Sequence, residues 1–238
     1  MKKIYILFVI ICFNTLNIFT QTYLKWAADA ESNAPYIFID PRNADNLIGF
    51  ELEIANQIAK ELGLNSKFLQ NQWDGLIPGL YRGDYDIAIN GLEITDDRKE
   101  VVNFSIPYYI TYEHLIVMAS NQSINSLEDC RGKRVGALKA SLAERILNEF
   151  GGINVKTYEG EINAILDMEN GRLDAVLCDA PIAIYYAEWN KKFRLPNNPI
   201  GKVEYGIAVR KDDFESLSKI NSALQTMLNN GKLREILE

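Results

Sequence analysis

The period of the hydrophobic positions changes several times along this chain, and the changes mark out alternating strands and helices. Leu24-Lys25-Trp26-Ala27 reads as a short strand. Phe50, Ile54, Ile58 and Leu62 recur every four residues, which predicts a helix over 49–62 with Gly63 as its stop. A second strand is expected over 66–69, a short helix over 76–82 closed by Gly83, and a third strand over 87–89. The grammar then starts again. A strand over 134–136 precedes a helix over 141–150, where Ser141 stands at the cap and Glu144 three residues on. A strand over 154–158, a helix over 162–170 closed by Gly171, an apolar strand over 175–177 and a helix over 181–189 follow. A late strand over 205–209 and an amphipathic helix over 214–228 complete the pattern.

Strands that alternate with helices imply a parallel sheet covered on both faces. The two runs overlay at one point. Gly83-Asp84-Tyr85-Asp86-Ile87-Ala88-Ile89-Asn90 matches Gly171-Arg172-Leu173-Asp174-Ala175-Val176-Leu177-Cys178 in the spacing of glycine, aspartate and apolar strand. The expected fold class is therefore α/β: two doubly wound α/β lobes, residues 22–111 plus 204–238 and residues 112–203. Two hinge crossings, near 112–117 and 200–205, join them, and a ligand cleft lies between them at the strand carboxyl ends.

At 238 residues the chain is long enough for two modest cores. Residues 1–21 have the layout of a secretory signal, with Lys2 and Lys3 ahead of the apolar run Ile4 to Phe13 and polar residues around Asn14. That run is short for a membrane span, and Val-Ile-Ile ahead of Cys12 is a poor lipoprotein signal, so export without a lipid anchor is expected. The net charge is −7, and −9 once Lys2 and Lys3 leave with the leader, which argues against a nucleic-acid partner. Cys130 and Cys178 remain; a buried thiol is expected of Cys178, on its apolar strand. With His114 as the single histidine and no Cys/His cluster, neither a metal site, a cofactor nor covalent catalysis is expected.

The chemistry concentrates in Asn90-Gly91-Leu92-Glu93-Ile94-Thr95-Asp96-Asp97-Arg98. A strand runs into a small-residue turn and then a helix start with an arginine on its first turn. Backbone N–H groups, the positive helix end and the Arg98 fork suit capture of a carboxylate.

Gly49-Phe50-Glu51, Trp73-Asp74-Gly75-Leu76-Ile77-Pro78-Gly79-Leu80, Asp86-Ile87-Ala88, Ile94-Thr95-x-x-Arg98, Phe104-Ser105-x-Pro107-Tyr108, Gly132-Lys133-Arg134-Val135-Gly136 and Gly171-Arg172-Leu173-Asp174-Ala175 occur in this order. In them the chain, from Leu24 to its C-terminus, resembles the periplasmic polar amino-acid-binding proteins of ABC importers, solute-binding protein family 3, with the type II periplasmic binding fold. The resemblance implies that Arg98 grips a ligand α-carboxylate, that backbone N–H groups of Gly91 and Glu93 serve the same anion, and that Asp179 on the other lobe pairs with the α-ammonium. Ser141, in Ala140-Ser141-Leu142 where the family has a Gly-Ser/Thr-Thr turn, is expected to cap its helix and to donate to the carboxylate. Trp73 stands where the family often has a residue flanking the ligand side chain, and Tyr36, in the first-strand loop Asn33-Ala34-Pro35-Tyr36, is expected as an aromatic neighbour of it. Asn33 stands where many relatives stack an aromatic ring, and Asp29 and Glu31 in the same loop either meet a ligand cation or stay solvated. Tyr108 and Tyr109 are expected in lobe packing.

Glu93 departs from the family, which usually has Ser or Thr there. A carboxylate beside a ligand carboxylate is repulsive, so Glu93 turns away into a hinge-side role or faces a cation. The resemblance implies an exported, periplasmic or extracytoplasmic monomer that binds an amino acid, without catalysis, and delivers it to an ABC permease, separate or fused. Two alternatives stay open: an exported cyclohexadienyl or arogenate dehydratase on the same scaffold, with Glu93 or Glu31 as proton donor, and the sensing domain of a larger receptor.

Overall fold

The computed structural model describes residues 22–31, 34–196 and 198–238, so the expected signal segment and Asn33 lie outside the described residues. The first run folds as β1 (Tyr23–Ala28), the hairpin β2 (Phe38–Asp40) and β3 (Asn43–Ile48), α1 (Phe50–Glu61), β4 (Asn65–Gln70), α2 (Leu76–Arg82) and β5 (Ile87–Ala88). Then come α3 (Asp96–Val101), β6 (Val102–Phe104), β7 (Tyr109–Met118), β8 (Arg134–Leu138), α4 (Leu142–Phe150), β9 (Asn154–Tyr158) and α5 (Glu161–Glu169). The chain ends with β10 (Ala175–Asp179), α6 (Ala180–Trp189), β11 (Phe193–Arg194), β12 (Ile200–Tyr205), β13 (Ala208–Arg210), α7 (Phe214–Asn229) and α8 (Lys232–Leu237).

Two main sheets result, ordered β4-β1-β5-β13-β6 and β11-β7-β10-β8-β9, with β12 also paired to β7. Alternate residues of one strand enter different cores. Trp26 and Ala28 of β1 join one buried cluster while Ala27 joins another, and Val176 and Cys178 of β10 separate in the same way from Ala175 and Leu177. Both faces are therefore covered, as the unbroken apolar runs require.

The overlay of the two runs has a shared physical basis. Gly83 and Gly171 both turn the chain at positive φ, 80° and 72°. Asp86 then accepts the Lys25 N–H at 2.9 Å and Asp174 the Arg134 N–H at 2.8 Å. Each aspartate thus ties the start of its strand to the strand beside it, Trp26 opposite Ile87 and Val135 opposite Ala175.

Three expectations need correction. The sheets are mixed: β13 runs antiparallel to β5 and β6, and β7 antiparallel to β10, because strands that return from the other sheet enter in the reverse sense. The late strand over 205–209 is two strands in different sheets, parted at Gly206 and Ile207. The chain passes between the sheets at 105–108 and 206–207 rather than within 112–117 and 200–205, since β7 and β12 pair with each other, Tyr109 opposite Tyr205. The two passages are laced together: Ser105 N–H donates to the Ile207 carbonyl at 2.9 Å, and Ile207 N–H returns to the Ser105 hydroxyl at 2.9 Å.

Candidate functional site

After β5 the chain must turn sharply, and Gly91 does so at φ 59°. A Cβ there would come within 3.3 Å of the Tyr36 ring and 3.5 Å of Asp179 Oδ2, so the turn lies directly against the cleft. Its N–H, expected to serve a ligand, donates instead to Glu51 Oε1 at 2.7 Å, and the Tyr108 hydroxyl donates to the same oxygen. Glu51 is fully buried, and that burial, only partly offset by these donors, pushes its carboxyl up to about 7.

Thr95 caps α3, its hydroxyl accepting the Arg98 N–H at 3.4 Å. The cap brings the Arg98 side chain back over Glu93. Its guanidinium pairs with the Glu93 carboxylate, donates to the Glu93 carbonyl at 3.1 Å and to the Ala140 carbonyl at 3.2 Å, and lies 5.4 Å from the Trp73 ring centroid. The Arg98 side chain is only 14% exposed. Glu93 therefore does face a cation, and the cation belongs to the protein. Its Oε1 also accepts the Leu142 N–H at 3.2 Å, at the first turn of α4 on the opposite side of the cleft. A carboxylate thus sits between the Arg98 fork and a helix N-terminus, and Glu93 supplies it. The anion is held there, rather than by the start of the six-residue α3.

Ser141 is the cap of α4. Its hydroxyl accepts the Glu144 N–H at 3.2 Å and donates to the Leu138 carbonyl at 2.7 Å, so its proton is engaged locally. Ala140, just before it, is the non-glycine residue at positive φ, 59°. This is where the resembling family has glycine.

Across the cleft Asp179 closes β10 and makes no side-chain cap on α6. Its Oδ2 accepts the Tyr36 hydroxyl at 3.0 Å, and the Tyr36 and Tyr205 hydroxyls lie 2.8 Å apart. Burial, then the negative charge of Glu93, raises the Asp179 carboxyl to about 7. Tyr36, Trp73, Asn90, Glu93, Ser141 and Asp179 line one small cavity of about 10 Å³ open to the centre of a water molecule. A wider groove of about 410 Å³ opens beside it, lined by Thr95, Arg98, Ser141 and Arg145.

Arg98, Asp179, Glu93, Ser141, Trp73 and Tyr36 are thus brought together, and Gly91 forms the wall behind them. Asp29 is buried too, but it is bound to Gln70 Nε2 at 2.9 Å and to the Glu31 N–H at 3.0 Å. Tyr109 stacks on Tyr205 at 5.8 Å and Tyr108 braces Glu51. Cys130 and Cys178 are both free and buried, and burial raises both thiols, Cys130 to about 11.

Two carboxylates escaped the sequence reading. Glu161, at the start of α5, lines the cavity, and burial pushes it up to about 8. Glu113 of β7 lies opposite Asp179 in the ladder, fully buried, and burial first and Asp179 second raise it well above the usual carboxylate range. The signal for Glu113 was present: Thr111, Glu113 and Leu115 alternate with exposed Tyr112, which puts a charged residue on the inward face. Oxygens of Glu93, Glu113 and Asp179 all lie within 4.8 Å of one another.

Residues 24–238 match the sequence profile of the bacterial extracellular solute-binding proteins, family 3. The L-cystine-binding protein TcyJ of Escherichia coli is 32% identical over 195 residues, which cover 81% of this chain and 73% of that protein. The L-arginine-binding protein of Pseudomonas aeruginosa is 32% identical over 202 residues, 80% of this chain and 78% of its own. Among solved structures, an ancestral arginine-binding protein bound to glutamine is 36% identical with a TM-score of 0.86, covering 91% of this chain and 96% of that one. Holo ArgBP from T. maritima is 32% identical with a TM-score of 0.82, covering 86% and 90%. With its two α/β lobes and the cleft between them, the chain belongs to family 3 of the bacterial extracellular solute-binding proteins.

Proposed function

We propose that this protein is the extracytoplasmic ligand-binding component of an ABC importer for an amino acid, exported by the segment 1–21, and that it catalyses nothing. The β4-β1-β5-β13-β6 sheet and the β11-β7-β10-β8-β9 sheet, each with the helices packed on it and joined at 105–108 and 206–207, act as the bodies that close on the ligand. The observation that carries this reading is the seat of the Glu93 carboxylate. It marks an anion position between Arg98 and the Leu142 N–H, with Asp179 facing the same cavity from the other sheet. A ligand carboxylate that displaces Glu93 meets the same donors, and its ammonium meets Asp179. The names of the relatives, which bind cystine and arginine, support an amino-acid ligand. Neither side of the cleft satisfies both ends of the ligand, so binding favours closure, and closure is what a membrane permease reads.

A thermal-shift screen of the purified protein against the common amino acids tests this. A ligand at a hundredfold its Kd adds about 2.7 kcal/mol of stability. Arg98→Ala and Asp179→Ala should each abolish the shift while the circular dichroism stays unchanged. No shift with any amino acid, or release of phenylpyruvate from prephenate, would sink the proposal.

A further inference from the structure

Glu93, Glu113, Asp179 and Glu161 converge on the cleft, and Arg98 is paired with Glu93. The anion position is already served from within the chain, since Glu93 satisfies both Arg98 and the Leu142 N–H.

The cation position is the one short of donors. Neither oxygen of Glu113 accepts from a donor of another described residue although the side chain is fully buried. The group it meets is the Asp179 carboxyl, with which it shares a hydrogen bond through its own proton, and an ammonium would bring the donors this pair lacks. Oxygens of Glu113, Glu93 and Asp179 all lie within 4.8 Å of one another. Three acceptors about the N–H bonds of one tetrahedral ammonium, each at about 2.9 Å, stand up to about 4.7 Å apart, so the cluster lies within the reach of a single ammonium head. A divalent cation is a poorer match: calcium takes six to eight oxygens at about 2.3–2.6 Å, more than three carboxylates offer with one oxygen each. The cavity that Glu93 and Asp179 line beside Glu113, about 10 Å³ open to the centre of a water molecule, is the size of one ammonium head.

We infer that Glu113, Asp179 and Glu93 form a tripod for a primary ammonium group, and that the protein accepts amines carrying no carboxylate, because Glu93 takes the place of the ligand carboxylate on Arg98. The inference rests on the reading of this cleft as the ligand site, and it extends the ligand class from amino acids to their amides and to alkyl diamines. Glu113 becomes a specificity-determining residue, and Glu93 decides whether a carboxylate is required.

Isothermal titration calorimetry of the purified protein, at fixed pH and salt, with each L-amino acid beside its own α-carboxamide and with 1,5-diaminopentane, tests it. For the side chain that binds best, the amide should bind within tenfold of the acid or more tightly. Glu93→Ser should shift the ratio at least tenfold toward the acid. Glu113→Gln should weaken acid and amide alike by tenfold or more, with unchanged circular dichroism. If an amino acid binds while its amide and the diamine do not, the inference is wrong and the amino-acid reading stands. If no amino acid binds but amides or the diamine do, the inference holds and the zwitterion reading falls. Failure of every amine and amino acid removes both. Stabilisation by calcium or manganese chloride alone, with no response to amides, would assign the tripod to a metal and overturn it.

Discussion

Glu51→Gln should flatten the alkaline side of the protein's stability profile, and the size of the effect follows from the surroundings of Glu51. The side chain is fully buried; one oxygen accepts the Gly91 N–H at 2.7 Å and the Tyr108 hydroxyl, and the other has no hydrogen-bond partner among the described residues. Burial raises its carboxyl from 4.5 to about 7. A folded-state value above the unfolded one means that, between those two pH values, the folded chain holds a proton that the unfolded chain has released. Stability contributed by this group is therefore present below pH 4.5 and lost as the pH rises toward 7. At about 1.36 kcal/mol per pH unit, the loss is on the order of 3 kcal/mol. Glutamine keeps the volume and the acceptor but has no charge to bury. Starting at pH 5 leaves about 2.5 kcal/mol of that loss, and for a chain of this size about 1 kcal/mol corresponds to about 2–4 °C, so the variant should gain about 5–10 °C on the wild type between pH 5 and pH 8.5. Scanning calorimetry of both proteins at both pH values reads this as a difference of differences. Any fixed packing cost of the substitution cancels, as does titration common to both proteins at Asp179 and Glu161. Melting temperatures that run parallel, within about 2 °C across the range, would refute the buried-carboxyl reasoning.

Three further outcomes follow from the backbone around the cleft. Leu142→Pro places proline at the first residue of α4, where its fixed φ is tolerated, and deletes the N–H that reaches Glu93 across the cleft. Ligand affinity should fall about tenfold, the worth of one charge-assisted hydrogen bond, with helix content unchanged by circular dichroism. Ala140→Gly relieves an alanine held at φ 59° and should raise the urea midpoint by up to about 1 kcal/mol in stability, whereas a loss would place the strain elsewhere. Gly49→Ala should cost about 3 kcal/mol or more in the same titration, since a Cβ there, at φ 134°, falls into the backbone of Tyr36 and Ile37.

Much of the architecture was legible because its determinants are local. The four-residue recurrence from Phe50 located α1 to within a residue at each end, and α2 was placed without error. Ser141 was identifiable as a cap, because a cap bonds an N–H three residues ahead whatever the rest of the chain does. The hairpin of β2 and β3 escaped, since its exposed, polar strand Asn43–Ile48 carries no apolar alternation. The sheet sense and the points of passage also escaped, because parallel and antiparallel neighbours of a buried strand have the same apolar pattern.

The sequence by itself singled out Arg98 and Asp179, through motifs that resemble those of the binding-protein family, and the structure brings both to one cleft. Only the tertiary structure decided what those residues do to one another. Leu142 and Glu93 are 49 residues apart, Tyr36 and Asp179 143 apart, and both contacts exist only when the two sheets face each other. Glu93 is a carboxylate in any reading. Whether it repels a ligand, meets one, or stands in for one depends on where Arg98, Glu113 and the start of α4 come to rest. A hydrogen bond or ion pair forms only within about 3–4 Å, and no local pattern in the chain encodes that distance.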